Sequence, residues 1–352
     1  MAERQKLAII GAGLMGRHHL AVALANPEIE VVGVADPVAA SRAKVASLGV
    51  PTFADHRELL DRTAPDGALV ATPNAFHAPI AIDCIQRGIP TLVEKPLADT
   101  LPAARAVLAA QQQQDVPVLV GHHRRHNPLL QAARAHIAEG GLGRICAVSA
   151  TWLRRKPDEY FNDAWKRDHA SGGGVILINA VHDFDTLRML CGDIEAICAT
   201  TSNAVRGYDV EDTAAIVARF KSGTLATLTV SDTVVAPWCW EMTAREDPRF
   251  ATVPENSYLL CGTQASLAIP TLERWSNLPN GGRDASFTRQ RLYYVAADSM
   301  TLQMAHFLRV MRGEEPPAIT AEDGLRTAAA TLAVSESVKT GGWVDVDALA
   351  AL

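Results

Sequence analysis

The chain of 352 residues is long enough for two domains, since one domain usually takes about 100–200 residues. Apolar residues make up 48% of the chain and charged residues 20%, which is typical of a folded globular protein and excludes a disordered one. The net charge of −6 and the aromatic content of 5% argue against a nucleic-acid partner, because binding phosphates requires a basic surface.

The N-terminal sequence and the cysteines predict a cytoplasmic protein. No apolar stretch of the signal-peptide type follows the first residues, and no run of about 18 apolar residues predicts a membrane span. The six cysteines are scattered and include no C-x-x-C pair, as expected for reduced thiols. We therefore expect no membrane partner.

The first 120 residues alternate short apolar runs with segments of helical composition. This alternation predicts a parallel sheet with helices on both faces. The predicted strands are Leu7–Ile10, Glu30–Ala35, Gly67–Thr72, Thr91–Glu94 and Val118–Val120. The predicted helices are 14–25, 39–48, 55–63, 76–88 and 100–114, the last with Thr100 as its cap and Pro102 in its first turn.

After Gly121 the chain carries longer β-type segments. A short link through Gly223 predicts that the strands on either side of it pair antiparallel. The predicted strands are 144–153, 213–220, 224–231 and 257–261. Residues 236–256 and 275–291 are predicted loops, rich in Pro, Gly, Asn, Arg and Asp, and 301–312 and 322–339 are predicted helices.

A glycine-rich motif, Gly11-Ala-Gly13-Leu14-Met15-Gly16, joins the first predicted strand to the first predicted helix. The first glycine permits the tight turn, the second lets the backbone approach a pyrophosphate, and the third lets helix and strand pack closely. The motif alone is weak evidence, and a nucleotide-free turn is the alternative. In this strand–turn–helix context it predicts a Rossmann domain that binds a dinucleotide.

Asp36 ends the second predicted strand, 20 residues beyond Gly16. An acidic side chain there can accept a hydrogen bond from a ribose 2′-hydroxyl and repels a 2′-phosphate, which favours NAD. NADP stays open, because Arg42 on the next helix could meet a 2′-phosphate.

The predicted fold is α/β, with a Rossmann NAD(P)-binding domain over residues 1–121. An α+β domain with an open, largely antiparallel sheet is predicted over residues 122–352, for substrate binding and oligomerisation. The C-terminal helices belong to that second domain or pack back on the first.

Glu94-Lys95-Pro96 follows a predicted strand, at the sheet edge where open α/β sheets bind ligands. Thr72-Pro73-Asn74 and His77 follow the neighbouring strand and reach the same edge. Lys95 can donate or accept a proton there if burial lowers its pKa. A surface turn is the alternative.

Gly172-Gly173-Gly174 precedes a predicted helix that carries Asn179 and His182. The glycines indicate a close backbone approach or an unusual turn. We expect Asn179 to cap the helix and His182 to serve in acid–base chemistry. The alternative is a capping Asn and a core His.

Residues 121–128 hold three histidines, and His122 and His126 have the spacing of a metal pair. No further residues complete the three or four ligands that a metal needs, so no metal is predicted. An Arg124 that faces substrate is the favoured interpretation. The mixed-charge segment 152–168 is an exposed loop or part of a polar pocket for hydroxyls or a carboxylate. Its candidate pocket residues are Arg155, Trp165 and Lys166.

The order and spacing of these motifs resemble the glucose–fructose oxidoreductase / inositol dehydrogenase / MocA family over essentially the whole chain. The resemblance implies an NAD(P)-dependent dehydrogenase acting on CH–OH groups. Its reaction would be hydride transfer between nicotinamide and a secondary alcohol or carbonyl of a sugar, cyclitol or sugar acid. It also implies a homodimer or homotetramer built on the open sheet of the second domain.

In the family pattern Lys95 assists proton transfer, and His182 lies against the reacting hydroxyl with Asn179 beside it. The predicted cofactor-binding residues are Gly11, Gly13, Leu14, Met15, Gly16, Asp36, Thr72, Pro73, Asn74, His77, Glu94 and Lys95. The predicted substrate-binding residues are Arg124, Arg155, Trp165, Lys166, Asn179 and His182.

The chain departs from the family pattern at two positions. Ile178 stands where many members carry an aspartate four residues before the histidine, which shifts the acid–base role towards Lys95. His123 stands where many members carry an uncharged polar residue, as in members that act on carboxylated substrates. One alternative is therefore a dehydrogenase of a carboxylated cyclic diol or lactol from aromatic catabolism. Another is a non-catalytic NAD(P)-binding regulator, against which Lys95 and His182 argue.

Overall fold

The computed structural model describes residues 4–246, 249–277 and 286–351. The chain divides into two compact units. The first unit comprises Met1–His123 and Met300–Ala328, and the second comprises Arg124–Ser299 and Ala329–Leu352.

The first unit contains a six-stranded parallel sheet in the order β3-β2-β1-β4-β5-β6. The predicted parallel sheet is confirmed, and the short strand Thr52–Phe53 adds a sixth strand to the five that the sequence predicts. The apolar run of β1 lies at its centre, with Leu7 to Ile10 buried. The strands are β1 (Gln5–Ile10), β2 (Ile29–Ala35), β3 (Thr52–Phe53), β4 (Gly67–Val70), β5 (Thr91–Glu94) and β6 (Val118–Gly121).

Helices connect these strands, as parallel neighbours require. Thr100 caps the fifth helix as predicted, because its hydroxyl oxygen accepts a hydrogen bond from the N–H of Ala103. The helices are α1 (Leu14–Ala25), α2 (Ala39–Ala46), α3 (His56–Thr63), α4 (His77–Gln86) and α5 (Leu101–Gln114), with a short 3-10 helix at Asn74–Phe76.

The second unit contains a nine-stranded sheet in the order β14-β13-β12-β11-β7-β10-β9-β8-β15. Its pairings are antiparallel except that of β7 with β10, which confirms the largely antiparallel prediction. The strands are β7 (Ile145–Leu153), β8 (Ile194–Ser202), β9 (Thr213–Phe220), β10 (Leu225–Ser231), β11 (Tyr258–Gly262), β12 (Ala265–Ile269), β13 (Glu273–Asn277), β14 (Phe287–Arg291) and β15 (Val344–Asp345).

One face of this sheet is buried, since β9 and β10 bury every second side chain. The buried helix α7 carries the predicted histidine His182. The helices are α6 (Pro128–Ala138), α7 (Val181–Cys191) and α8 (Trp240–Thr243), and the 3-10 helices are His123–His126 at the boundary of the units, Asp158–Asn162 and Ala164–Arg167.

The C-terminal part of the chain contributes to both units. In the first unit, Gly67 leaves room for Met311, whose side chain would lie 2.8 Å from an added Cβ, and Val120 donates its N–H to the carbonyl of Ile319. The elements are α9 (Ser299–Met311), α10 (Ala321–Thr340) and α11 (Val346–Ala351).

Both predicted loops of the second domain contain regular structure, so these predictions are wrong in part. Residues 236–256 include α8, and residues 275–291 include the end of β13 and all of β14. The two strands lie at one side of the sheet and bury few side chains, so their sequences lack the apolar alternation that would reveal them. Residues 278–285 of the predicted loop lie outside the described residues.

Candidate active site

The glycine motif forms the turn between β1 and α1. Gly11 has a φ of +107°, and an added Cβ would lie 2.3 Å from the carbonyl oxygen of Ala71. A Cβ on Gly16 would lie 1.9 Å from the carbonyl oxygen of Gly11, so helix and turn pack without space for a side chain. In contrast, a Cβ on Gly13 would meet no atom within 4 Å.

This geometry fits a dinucleotide diphosphate. The exposed Gly13 and Leu14 border open space at the start of α1, and no side chain caps this helix. Uncapped N–H groups at a helix N-terminus favour a phosphate group. Met15, next in the motif, is half-buried.

Asp36 follows β2, and its carboxylate accepts hydrogen bonds from both the glycine-motif turn and the turn after β2. Its Oδ2 accepts a hydrogen bond from the N–H of Ala12 at 2.8 Å, and its Oδ1 accepts one from the N–H of Val38 at 2.8 Å. Arg42 donates to the carbonyl oxygens of Asp36 and Pro37 at 2.7 and 2.9 Å, so its guanidinium group is held against this turn.

His77 connects the segments that follow β4 and β5. Its Nδ1 lies 2.7 Å from the carbonyl oxygen of Pro96, and its Nε2 lies 2.9 Å from that of Thr72. Burial outweighs these carbonyls and lowers the pKa of His77. Because main-chain oxygens face both ring nitrogens of this buried residue, the geometry favours a structural clamp over the predicted contact with cofactor. Beside it, the Thr72 hydroxyl is buried with no hydrogen-bond partner among the described residues.

Glu94 forms a buried hydrogen bond with His19 of α1, a residue that the sequence analysis missed. Nε2 of His19 lies 2.7 Å from Oε1 of Glu94, and the two side chains are 1% and 5% exposed. Burial alone would raise the pKa of Glu94. The hydrogen bond from His19 and the charges of His19, Lys95 and His123 outweigh it and lower that pKa to about 2.

The carboxylate of Glu94 also holds the start of the Lys95 segment, since its Oε2 accepts a hydrogen bond from the N–H of Lys95 at 3.1 Å. Lys95 itself is half-buried. The buried face of α1 includes Gly16, His19 and Leu20, a helical spacing that could have revealed His19 as a buried polar residue.

In the second unit, Asn179 does not cap α7, which corrects the prediction. It lies within a π-helical turn, Ile176–Ala180, that continues into the helix. The carboxylate of Glu211 accepts a hydrogen bond from the N–H of Ile176 at 2.8 Å instead. Gly174 has a φ of +95°, in the left-handed region, and a Cβ there would also lie 2.6 Å from this carboxylate, so the position favours glycine.

The side chain of Asn179 is therefore available for another contact. Its Oδ1 accepts a hydrogen bond from Nζ of Lys156 at 2.5 Å. Lys156 is 4% exposed, and burial lowers its pKa to about 7. For Lys156, the burial excludes one of the two alternatives for this segment, the exposed, mixed-charge loop. His182, on the first turn of α7, is buried at 8% exposure.

The predicted pocket segment lies against the glycine run. A Cβ on Gly173 would lie 2.5 Å from the carbonyl oxygen of Trp165. Lys166 pairs with Asp163 at 2.8 Å and lies 3.9 Å from the centre of the Tyr160 ring. The close backbone approach predicted from the glycines is confirmed.

Trp165 and Lys166 are half-buried, and Arg155 is exposed. These three predicted pocket residues are therefore open to solvent at least in part.

Arg124 lies in a buried ion-pair cluster. Its guanidinium group donates to the carboxylates of Asp183 and Glu241 at 3.2 Å and to the hydroxyl of Tyr258 at 3.3 Å, and it lies over the ring of Trp240. Arg124 is 2% exposed, and these contacts favour a structural role for it over the predicted contact with substrate.

Within residues 4–246, 249–277 and 286–351, no group of three or more His, Cys, Asp or Glu side chains is arranged to hold a metal ion. No helix in the same ranges is both long enough and apolar enough to cross a membrane.

Comparison with known families gives two matches. Residues 5–122 match the model described as "Oxidoreductase family, NAD-binding Rossmann fold", and residues 130–268 match the "GFO/IDH/MocA C-terminal domain".

Curated relatives include the rhizopine catabolism protein MocA of Rhizobium meliloti, 35% identical over 190 residues. That match spans 54% of this chain and 58% of the relative. The 1,5-anhydro-D-fructose reductase of Ensifer adhaerens is 28% identical over 345 residues, which are 96% of this chain and 98% of the reductase.

Among solved structures, an oxidoreductase from Agrobacterium radiobacter in complex with NAD⁺, L-tartaric acid and magnesium superposes with a TM-score of 0.82. It is 20% identical and covers 98% of this chain and 99% of its own. The WlbA dehydrogenase from Bordetella pertussis, in complex with NADH and UDP-GlcNAcA, has a TM-score of 0.79 at 21% identity and covers 97% and 99%. At these identities the likeness concerns the fold.

Proposed function

Because this chain belongs to the GFO/IDH/MocA family of NAD-binding oxidoreductases, we propose that it oxidises a secondary alcohol of a sugar, cyclitol or sugar acid, or reduces the corresponding carbonyl. The observation that carries this proposal is Lys95 at the carboxyl end of β5, held through its N–H by the buried Glu94. Relatives named inositol 2-dehydrogenase and 1,5-anhydro-D-fructose reductase support the substrate class.

The residues of the first unit would hold NAD. The diphosphate would bind at Gly13, Leu14 and Met15, where an added Cβ on Gly13 meets open space. Asp36 would accept a hydrogen bond from the adenosine ribose. Thr72, Pro73, Asn74 and Glu94 would line the site at the carboxyl ends of β4 and β5. When bound, the nicotinamide supplies the acceptor or donor of the hydride.

Proton transfer would be carried out by side chains of the protein. In the oxidative direction, Lys95 accepts the hydroxyl proton, either directly or through His182. His182 is suited to such a relay because histidine titrates near neutral pH. Asn179 donates a hydrogen bond to the substrate oxygen, since its own carbonyl oxygen is occupied by Lys156.

The half-buried Trp165 and Lys166 and the exposed Arg155 would contact the remaining hydroxyls. A carboxylated cyclic diol or lactol is a second candidate substrate. It is favoured by the two lysines at the ring of Tyr160, with Nζ of Lys156 and Lys166 at 4.4 and 3.9 Å from the ring centre. Cations close to a proposed binding site favour an anionic ligand.

The proposal is tested by calorimetry with NAD⁺, followed by a substrate screen that monitors NADH at 340 nm. The screen includes sugars, sugar acids, cyclitols and cyclic diols, with carboxylated and neutral members of each. Lys95→Met is expected to lower kcat about 10²–10⁴-fold, as for loss of a general acid–base group, while NAD⁺ still binds. Lys44→Met, on the exposed side of α2, is the matched control.

Near-normal turnover by Lys95→Met would refute the role of Lys95. NAD⁺ binding without turnover on any member of the panel would favour the non-catalytic regulator.

We also propose that the exposed face of the second unit's sheet joins copies of the chain, as the family resemblance implies. This face carries Val217, Leu225 and Leu259, which are 40%, 53% and 47% exposed. A dimer or tetramer in analytical ultracentrifugation, converted to monomer by Leu225→Glu, is the expected result. A monomeric wild type would refute it.

A further inference from the structure

Lys156 is a buried lysine to which the proposed reaction assigns no proton transfer. It follows β7, and its backbone is held on both sides. Its N–H donates to the carbonyl oxygen of Asp232 at 2.8 Å, and its carbonyl oxygen accepts a hydrogen bond from Arg206 at 2.8 Å. The backbone that carries this side chain is therefore fixed within the second unit.

The ammonium group of Lys156 is directed at a neutral amide and not at a carboxylate. Its Nζ donates to Oδ1 of Asn179 and lies 4.4 Å from the centre of the Tyr160 ring and 5.3 Å from that of Trp152. Within the described part of the chain, no carboxylate lies within ion-pair distance of this nitrogen. A buried charge without a direct counter-ion is costly, so a structural role alone gives no reason for a lysine here.

The contact has a direct chemical consequence. An ammonium group can only donate hydrogen bonds, whereas an asparagine amide has one acceptor side and one donor side. Lys156 therefore selects the orientation in which Oδ1 faces it, and the N–H₂ group of Asn179 points the other way. We propose that Lys156 is a positioning residue that fixes the amide of Asn179 so that its N–H₂ group is presented to the substrate oxygen. This inference rests on the proposed function for the role of that oxygen.

The charged surroundings of Lys156 make this orientation sensitive to pH. Burial is the largest influence and lowers its pKa to about 7, against the opposing charges of Asp232 and Glu241. The positive charges of Arg154 and Lys166 act in the same direction as burial. The remaining groups at hand are the phenol of Tyr160 and Arg206, which pairs with Asp232 at 2.8 Å.

Above this pKa the neutral amine carries a lone pair and can accept as well as donate. It then no longer selects one orientation of the Asn179 amide. The fraction of correctly oriented Asn179 should therefore fall as pH rises through about 7.

The orientation is tested without reference to activity by NMR of the ¹⁵N-labelled full chain. The Asn179 side-chain amide signal is assigned by its loss in Asn179→Ala. In the wild type it should shift with a midpoint near pH 7, and in Lys156→Met and Lys156→Arg this titration should be absent. A signal that does not titrate in the wild type, or that titrates equally in Lys156→Met, would overturn the proposal.

The effect of Lys156 on turnover is tested by a double-mutant cycle that compares the wild type, Lys156→Met, Asn179→Ala and the double variant. Lys156→Met should lower kcat about 10–100-fold, as losing a supporting hydrogen bond typically does, with no change in NAD⁺ affinity. In Asn179→Ala, adding Lys156→Met should lower kcat no further, because Lys156 acts through Asn179. Lys156→Arg should restore most of kcat at pH 6 and remove the inflection near pH 7.

Lys339→Met, in which an exposed lysine of α10 is replaced, should behave as the wild type. If the two losses multiply in the double variant, Lys156 does not act through Asn179 and the proposal is wrong. If the wild type turns over no member of the panel, the proposed function fails, while the NMR titration still decides whether Lys156 orients Asn179.

Discussion

Burying Lys156 should make the stability of the second unit depend on pH. The pKa of this lysine falls from its ordinary value of 10.5 to about 7 in the fold. Between these values the unfolded chain binds a proton that the folded chain does not, so the free energy of unfolding rises as pH increases from 7 towards 10.5. Below pH 7 the lysine is protonated in both states, so the buried charge lowers the free energy of unfolding by its full amount.

The magnitude follows from linkage. A difference of one pKa unit corresponds to about 1.4 kcal/mol, so the full effect of Lys156 between the two limits is about 5 kcal/mol. Between pH 7 and pH 9 the same linkage relation gives about 2 kcal/mol. Lys156→Met removes the titrating group and keeps a side chain of similar length. The wild type should therefore gain about 2 kcal/mol relative to this variant over that interval.

Urea unfolding followed by tryptophan fluorescence measures this difference. All six tryptophans of the chain lie in the second unit, so the signal reports the unit that contains Lys156. Lys339→Met replaces an exposed lysine of the same unit and should follow the wild type at both pH values. Parallel pH dependences of the wild type and Lys156→Met would refute the argument from burial.

Three further predictions concern the first unit. Gly13→Ala should unfold at the wild-type temperature but bind NAD⁺ more weakly in calorimetry, because an added Cβ at Gly13 meets no protein atom. Gly11→Ala should be destabilised by about 1–3 kcal/mol, because an added Cβ at Gly11 collides with the backbone of Ala71. Equal melting temperatures for the two variants would contradict this prediction. Asp36→Asn should lower the ratio of NAD⁺ affinity to NADP⁺ affinity by about tenfold, or about 1.4 kcal/mol. If calorimetry gives the same ratio for the variant and the wild type, Asp36 does not face the ribose. Glu94→Gln should be less stable than the wild type near pH 7, and the stability difference should close as pH falls from 4.5 to about 2, because the folded pKa of Glu94 lies below its ordinary value. Thermal melts at pH 7, 4 and 3 that keep a constant stability difference would argue against an ionised, buried Glu94.

The sequence predicts the centre of the first unit well because β4, β5 and β6 are short and fully buried. It misses β3, whose two residues are only half-buried. Short buried runs such as Leu7–Ile10 and Thr91–Glu94 are readily recognised as strands, because they alternate along the chain with segments of helical composition. β13 and β14 were missed for the opposite reason, since strands at one side of a sheet bury too little to require apolar residues. The pattern of apolar residues in the sequence therefore reveals a strand only where other parts of the protein bury that strand.

The same limit applies to the candidate site. Lys95 could be predicted as a site residue because its place after a strand is a local property of the sequence. His19 and Lys156 were missed because their burial is created by partners distant in sequence, Glu94 for the one and Asn179 for the other. The helix start was misplaced at Asn179 because Glu211, 35 residues from Ile176, supplies the acceptor that a local cap would have given.

In both units, glycines lie where two backbone segments approach too closely for a Cβ atom, next to the proposed ligand sites. Gly11 and Gly16 are required where a turn, a helix and a strand end meet without room for a Cβ. Gly173 and Gly174 are required where the pocket segment and Glu211 approach the start of the Asn179 helix. In each unit the close approach fixes backbone next to a proposed ligand site, so the polar side chains there need few contacts of their own to be held. Because Glu211 supplies the acceptor at the helix start, the side chain of Asn179 is released from capping, and Lys156 can then set its orientation.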